Sequence, residues 1–138
     1  MSSNVVWNIV RKNSAFRVKR KGCRAEFSSE SGNLTNQNTF KASGLAQAKT
    51  VDVSLDSRGN PTITVSVPKR SNMPAKARYA VRLTRGKLAR RSGNVSKLTS
   101  GTYFRRDLEK AALARLTRLH VARTRPAGVE KKPRARRA

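Results

Sequence analysis

The chain has 138 residues, enough for one small folded domain and too few for two large ones. Its 32 Lys and Arg residues outnumber seven Asp and Glu residues, which gives a formal net charge of +25. A compact body with this charge repels itself unless an anionic partner neutralises it. We expect that partner to be a phosphate backbone, because 20 of the basic residues are Arg, which grips phosphate with two hydrogen bonds and stacks on bases.

The first predicted element is a short helix at the amino end. Two serines precede an apolar cluster at residues 5–10, and Asn13 can end the helix in a left-handed conformation. A strand is the alternative, because β-branched residues dominate the cluster. Trp7 in this cluster is expected to lie in the core.

A hairpin is predicted next. Apolar residues alternate with others at 16–18 and again at 23–27, and Lys21-Gly22 suits the turn between the two strands. Phe16 and Phe27 are expected core residues, and Cys23 is expected to be a small, half-buried filler.

A long polar segment follows, at residues 28–48. It is rich in Ser, Asn and Gln, and it contains only scattered large apolar residues at Leu34, Phe40 and Leu45. This composition predicts an ordered loop that those three side chains anchor. Its length is typical of a functional loop rather than of a passive connection.

The strongest local pattern is a second hairpin. Val51, Val53 and Leu55 alternate with polar residues, residues 56–60 form a turn, and the alternation resumes over residues 63–67. Pro68 and Pro74 then enclose a basic segment, which predicts the end of the sheet region.

Helices are predicted in the carboxyl half. Residues 85–91 favour a short helix that Gly93 interrupts, and residues 105–122 favour a longer one, with Asp107 and Glu109 in its first turn. One face of the longer helix is apolar, formed by Leu108, Ala112, Leu116 and Leu119. Beyond Arg123 little can be buried, so residues 123–138 are expected to be disordered until RNA orders them.

These elements predict an α+β fold, with a small antiparallel β-sheet and a short amino-terminal helix, followed by basic helices and a disordered basic tail. We divide the chain into an α+β RNA-binding domain at 1–80, a basic helical part at 81–122 and the basic extension at 123–138. Residues 1–68 hold ten Lys and Arg against four acids, whereas residues 69–138 hold 22 against three. The carboxyl half is therefore the stronger candidate for gripping RNA.

Catalysis and cofactor binding find no support in the residues. The single Cys23 excludes an intrachain disulfide and a Cys-type metal cluster, no glycine-rich nucleotide loop occurs, and His120 lacks an evident orienting partner. His120 is expected at a helix end or at RNA, and the acids at positions 26, 30, 52 and 56 are each expected to meet an Arg. The chain is predicted to be no enzyme and to bind no cofactor, metal or small-molecule substrate.

The basic clusters are the predicted functional residues. An imbalance of this size cannot all be solvated decoration, so most clusters are expected to touch phosphate. Among the aromatic residues, Phe40, Tyr79 and Tyr103 are candidates for stacking on a base. The predicted RNA-binding residues are Arg11, Lys12, Arg17, Lys19, Arg20, Lys21, Lys41, Lys69, Arg70, Arg82, Arg85, Lys87, Arg90, Arg91, Arg105, Arg106, Lys110, Arg115 and Arg118.

The order of motifs resembles a known family, the eukaryote-specific large-subunit ribosomal protein family numbered twenty-eight. The resemblance begins with WNIVRKNSAF at residues 7–16, is most specific in NTFKASGL at residues 38–45, and continues through the second hairpin to YFRRDL at residues 103–108. It covers nearly the whole chain. The pattern departs mainly between residues 87 and 100, where Gly93 and Gly101 interrupt a helix that is more continuous in the family, and in the terminal tail.

This resemblance implies a structural constituent of the large subunit of the cytosolic ribosome. The expected partners are large-subunit ribosomal RNA and neighbouring ribosomal proteins, with no membrane partner, and the chain would pass through the nucleus or nucleolus during assembly. The opening residues lack the pattern of a signal peptide, which agrees with that location. The alternatives are a chromatin-associated DNA-binding protein and a transient ribosome-assembly factor or translation regulator.

Overall fold

The computed structural model describes residues 2–83 and 86–124, and the predicted α+β class is confirmed. One antiparallel sheet has two strands in the order β1-β2, and the other has three in the order β3-β4-β5. The regular elements are α1 (Ser3–Val10), β1 (Arg17–Lys19), β2 (Glu26–Ser28), β3 (Val51–Leu55), β4 (Pro61–Ser66), β5 (Arg78–Arg82), α2 (Leu88–Ser96) and α3 (Glu109–Thr124). Residues 125–138, which belong to the predicted disordered tail, lie outside the described residues.

The amino-terminal segment is the predicted helix and not the alternative strand. Its last turn closes when the N–H of Arg11 donates to the carbonyl of Trp7 at 2.9 Å. The predicted left-handed cap at Asn13 is wrong, because Asn36 and Tyr103 are the non-glycine residues with positive φ in the described ranges. Trp7 is half-buried, and its ring centre lies 6.1 Å from that of Phe40.

The first hairpin pairs Val18 with Phe27, as the alternation predicts, but its connection spans residues 20–25 instead of a two-residue turn. The prediction that Phe16 and Phe27 lie in the core is wrong: they are 46% and 38% exposed. The reason is that this hairpin is separate from the three-stranded sheet on which the core is built. Cys23 is exposed and is therefore not the expected half-buried filler.

The second hairpin is confirmed, and it carries the core. Val51 pairs with Val65 and Val53 with Ile63, so these four side chains share one face of the sheet and are almost completely buried. Helix α3 packs over this face. Burying each such side chain contributes roughly 1.5–3 kcal/mol relative to exposure, and this layer is the main apolar contribution to the fold.

The sheet does not end at the two prolines, so that prediction is wrong. Each proline opens a short 3-10 turn, at Pro68–Arg70 and at Pro74–Lys76, and the chain then returns as β5 along β4. All five residues of β5 are exposed, because it is an edge strand that the helices do not cover. Tyr79 and Val81 do alternate with basic and small residues, but the stretch is short and follows two prolines, and main-chain pairing with β4 fixes its place.

The helices follow the predicted order with different bounds. Gly93 does not interrupt α2, which continues to Ser96 and then into a π-helical turn at Lys97–Gly101. Buried Val95 holds this helix to the core despite the cost of about 1 kcal/mol that glycine adds within a helix. The apolar face of α3 is confirmed: Leu108, Ala112 and Leu116 are buried, and Leu119 packs against the core.

The segment between β2 and β3 is irregular, and polar contacts order most of it. Of the three predicted anchors, Leu34 is buried at 4% exposure, whereas Phe40 and Leu45 are 37% and 43% exposed, so the prediction is wrong for those two. Small side chains of Ala42 and Ala46 are buried instead.

Glu30 is the centre of that segment. Its buried Oε1 accepts hydrogen bonds from Asn33 Nδ2 and from the N–H of Gly44, each at 3.1 Å. Gly44 lies so close to the backbone of Ser31 and Gly32 that a Cβ at position 44 would be 2.2 Å from the carbonyl oxygen of Ser31. A buried carboxylate and a glycine thus fix a crossing that the apolar pattern does not reveal.

Candidate nucleic-acid interface

Most of the predicted RNA-binding side chains lie at the surface. A first group is exposed and makes no side-chain hydrogen bond or ion pair with the rest of residues 2–83 and 86–124. Charges of this kind are free to meet phosphate. They are Arg11, Lys12, Arg20, Lys21, Lys69, Arg70, Lys87, Arg90, Arg106, Lys110 and Arg118.

A second group is exposed but lies beside an acid of the same chain. Lys19 Nζ is 3.6 Å from Glu26, Lys41 Nζ is 3.8 Å from Asp107, and Arg82 Nε is 3.3 Å from Asp56. Their side chains remain 63–64% exposed, so each can also reach an external anion. Arg91 is half-buried on α2, and Arg85 lies outside the described residues.

Arg17 and Glu26 form a two-point pair across the first hairpin. Arg17 Nε and Nη2 donate to the two carboxylate oxygens of Glu26 at 2.9 and 2.6 Å, and Asn38 Nδ2 donates to the same carboxylate at 3.1 Å. The hydrogen bonds from Arg17 and then Asn38 lower the pKa of Glu26 from 4.5 to about 2. The same contact raises the pKa of Arg17, which stays charged.

This pair predicts that acid loosens the first hairpin. Because the folded-state pKa of Glu26 is depressed, its stabilising effect is present above pH 4.5 and is lost as the pH falls toward about 2. We expect NMR contacts between Val18 and Phe27 to weaken over that interval. Glu26→Gln should abolish the pH dependence at the hairpin and leave acid effects elsewhere unchanged; a hairpin with the same contacts at both ends of the interval would contradict the prediction.

Arg105 is drawn inward although it looks like one more basic residue of a cluster. Its guanidinium donates to the carbonyl oxygens of Lys49 at 2.8 Å and Lys41 at 3.0 Å, and it pairs with Asp107 at 2.9 Å. The hydrogen bonds from Arg105 to Asp107 lower the pKa of that carboxyl group. Only 12% of the Arg105 side chain is exposed, so it joins the start of α3 to the long polar loop.

Arg115, on α3, also anchors its helix to distant main-chain carbonyls. Its Nε donates to the carbonyl of Val53 at 2.7 Å, and its Nη1 donates to the carbonyl of Leu34 at 2.7 Å and to Asn36 Oδ1 at 3.1 Å. Its Nη2 lies 3.7 Å from Asp52. The structure therefore gives Arg17, Arg105 and Arg115 internal contacts that a cluster of charges in a sequence cannot distinguish from an RNA-facing surface.

The acidic residues follow the expected pairing with one exception. Glu26, Asp52 and Asp56 each lie beside an Arg, as predicted. The prediction is wrong for Glu30, which binds amide and hydroxyl groups of the loop. In the described ranges, His, Cys, Asp and Glu form no group of three or more that could hold a metal ion.

Several basic residues outside the predicted set also face solvent. Arg78 reaches across to Ser31, while Arg24, Arg58, Lys76 and Lys97 are exposed without a side-chain partner in the structure as described. None of them has a charged residue immediately beside it in the sequence, so the charge runs do not single them out, and their exposure in the fold identifies them.

The candidate stacking aromatics have different surroundings. Phe40 contacts Trp7, and Tyr79 is 45% exposed on the edge strand β5. Tyr103 is 80% exposed. Its neighbour Phe104 packs against the core, with Lys49 Nζ 5.6 Å from the ring centre. His120 is half-buried in α3 and its Nδ1 is enclosed.

The geometry defines a small basic α+β protein that holds most of its acids in internal contacts and presents many unpaired cations to solvent. No helix in residues 2–83 and 86–124 is long and apolar enough to cross a membrane. A model of the Ribosomal L28e protein family matches residues 5–122, and the chain therefore belongs to this family. The resemblance inferred from the motifs is confirmed.

Curated relatives with the name large ribosomal subunit protein eL28 support the assignment. The chain is 34% identical to the one of Dictyostelium discoideum over 88% of this chain and 89% of the relative. It is 33% identical to the one of Schizosaccharomyces pombe over 83% of this chain and 87% of the relative. It is 40% identical to the one of Caenorhabditis elegans over 56% and 59%, respectively.

Proposed function

We propose that the protein is a structural constituent of the large ribosomal subunit and braces ribosomal RNA through phosphate contacts. The observation that carries this proposal is the large set of exposed cations without an internal partner, in a chain of the Ribosomal L28e protein family. Phosphates crowd together where RNA helices meet, and a multivalent cation of fixed shape lowers their repulsion. The proposed partners are large-subunit ribosomal RNA and neighbouring ribosomal proteins.

The division of roles among the arginines supports this mechanism. Arg17, Arg105 and Arg115 hold the hairpin, the polar loop and α3 in place, whereas the exposed cations of the first group contact phosphate. The rigid body would thus set the spacing of the contacts, and residues 123–138 would add a basic extension. The domain at 1–80, the helical part at 81–122 and this extension remain part of the proposal.

Binding to RNA should depend steeply on salt. If ten side chains neutralise phosphates, the slope of log affinity against log salt is on the order of −7 to −9, because each contact releases a condensed counterion. Filter binding of the full chain to a large-subunit rRNA fragment over a salt series measures the slope. Replacing Arg20, Lys21 and Arg24 together by Ala should flatten it by about 2–3.

A matched variant tests whether the flattening reflects the loss of cations or three surface substitutions of any kind. Ser57, Leu45 and Met73 are exposed and uncharged, so replacing all three by Ala changes the surface without removing a cation. This variant should keep the original slope. A wild-type slope shallower than about −3 would contradict multidentate phosphate binding.

The decisive test of function is ultraviolet crosslinking of the tagged protein in cells, followed by sequencing of the attached RNA. Reads at a few discrete sites of large-subunit rRNA are expected, together with cytosolic ribosomes that retain the protein at an abundance equal to rRNA through moderate salt washes. Recovery chiefly with DNA would favour the chromatin alternative. Substoichiometric, salt-labile association, confined to nuclear or nucleolar precursors, would favour an assembly factor.

A further inference from the structure

Tyr103 has an unusual combination of exposure and backbone conformation. Its side chain is 80% exposed, and its φ is +51°, a conformation that glycine accepts readily and that an aromatic residue adopts at a cost. Within the described residues its ring makes no hydrogen bond or ring contact. Folding therefore gains little from this ring, although the backbone is strained to present it.

The backbone around Tyr103 is fixed from both sides. Thr99 is fully buried, and its carbonyl oxygen accepts the N–H of Phe104 and of Arg105, both at 3.1 Å. The N–H of Tyr103 itself donates to the carbonyl of Ser100 at 3.0 Å, which closes the end of the π-helical turn. Phe104 packs on the core and Arg105 is anchored to the polar loop. Contacts on both sides of the turn thus fix the backbone from which the ring points outward.

The ring borders a surface hollow of about 290 Å³ with polar surroundings. Ser100, Gly101, Arg106 and Glu109 line it together with Tyr103. Arg106 is exposed and lacks an acid partner in the described part of the chain. A flat aromatic face therefore lies beside a free guanidinium, and Glu109 offers a carboxylate as hydrogen-bond acceptor.

We propose that Tyr103 is a stacking platform for one unpaired RNA base, with Arg106 binding the phosphate of the same or the adjacent nucleotide. This inference rests on the proposed function, since it specifies one contact within the RNA-binding surface. Stacking uses the exposed face of the ring, and Arg106 neutralises the phosphate that accompanies any base. Glu109 can accept a hydrogen bond from a base amino group or from the ribose 2′-hydroxyl.

A base fits this hollow better than an apolar peptide segment would. The hollow is lined by hydroxyl, guanidinium and carboxylate groups around a single ring, and the net charge of +25 favours an anionic ligand. An apolar side chain would cover the ring but would leave Arg106 and Glu109 to lose water without new partners.

The test compares binding of the full chain to two probes by fluorescence anisotropy at constant salt. One probe is a single-stranded oligoadenylate of about twelve nucleotides, and the other is an RNA duplex of the same length. Tyr103→Leu should weaken binding to the single strand on the order of tenfold and leave duplex binding unchanged, whereas Tyr103→Phe should retain both. Arg106→Ala should weaken both.

A second variant separates loss of stacking from loss of fold. Tyr103→Gly removes the ring and relieves the positive φ, so its thermal midpoint should equal or exceed that of the wild type while single-strand binding falls as in Tyr103→Leu. Equal binding of the single strand by wild type, Tyr103→Leu and Tyr103→Gly would overturn the platform and leave the phosphate-binding function standing. A wild-type chain that binds neither RNA probe would instead overturn the proposed function.

Discussion

Arg115→Ala is expected to destabilise the protein by about 3 kcal/mol. The substitution removes hydrogen bonds from a charged group to the carbonyls of Val53 and Leu34 and to Asn36. It also leaves Asp52 Oδ1, which is enclosed and has no hydrogen-bond partner among the described residues, without its neighbouring cation at 3.7 Å. Urea unfolding of the full chain, followed by far-ultraviolet circular dichroism, measures the loss.

Two variants decide whether the geometry or the charge of Arg115 matters. Arg118→Ala removes an exposed cation from the same helix and should change the free energy of unfolding by less than about 0.5 kcal/mol. Arg115→Lys keeps the charge but not the planar fork that reaches several carbonyls, so it should recover only part of the stability. Equal losses in Arg115→Ala and Arg118→Ala would show that Arg115 is not a structural residue.

Gly44→Ala is expected to cost a similar amount, roughly 3 kcal/mol, for a steric reason. The added Cβ would lie 2.2 Å from the carbonyl oxygen of Ser31 and 2.9 Å from the carbonyl carbon of Gly32, and backbone atoms cannot yield as a flexible side chain does. Any outward shift of Gly44 also lengthens the hydrogen bond from its N–H to buried Glu30. Differential scanning calorimetry and proteolysis of the polar loop should both detect the change.

Gly93→Ala is the matched control for that substitution. Gly93 lies within α2, and a Cβ there would meet nothing within 4 Å. The same chemical change should therefore stabilise the protein by about 0.5–1 kcal/mol through helix propensity. Tolerance of Gly44→Ala would contradict the close approach at Gly44, and destabilisation by Gly93→Ala would contradict the open surroundings of Gly93.

The sequence predicts the elements whose own side chains are buried at regular intervals. The alternation at Val51, Val53, Ile63 and Val65 appears in the second hairpin, and the helical spacing at Leu116 and its neighbours appears in α3. Strand β5 has only a short alternation, at Tyr79 and Val81, and its side chains are exposed, so its pairing with β4 depends on main-chain groups. No local window of sequence shows that this stretch pairs with β4.

The basic residues of the candidate interface also differ in how far the sequence predicts their role. Exposed cations such as Arg20 and Lys110 are recognisable from the charge excess, and their RNA contacts stay a prediction. Arg105 and Arg115 have similar basic neighbours, yet their partners are carbonyl groups more than 50 residues away. The partners of buried Glu30 are likewise amide groups that come together only in the folded loop, so the order of charges in the sequence cannot show them.

The long span of the arginine contacts affects the order in which the chain can fold during synthesis. The carbonyl of Leu34 binds Arg115, which lies 81 residues later in the sequence, and the carbonyl of Lys41 binds Arg105, 64 residues later. Contacts this distant form late, because the intervening chain must be closed before they are gained. During translation the carbonyls of Leu34 and Lys41 are therefore without these arginine partners until residues 105 and 115 have been synthesised.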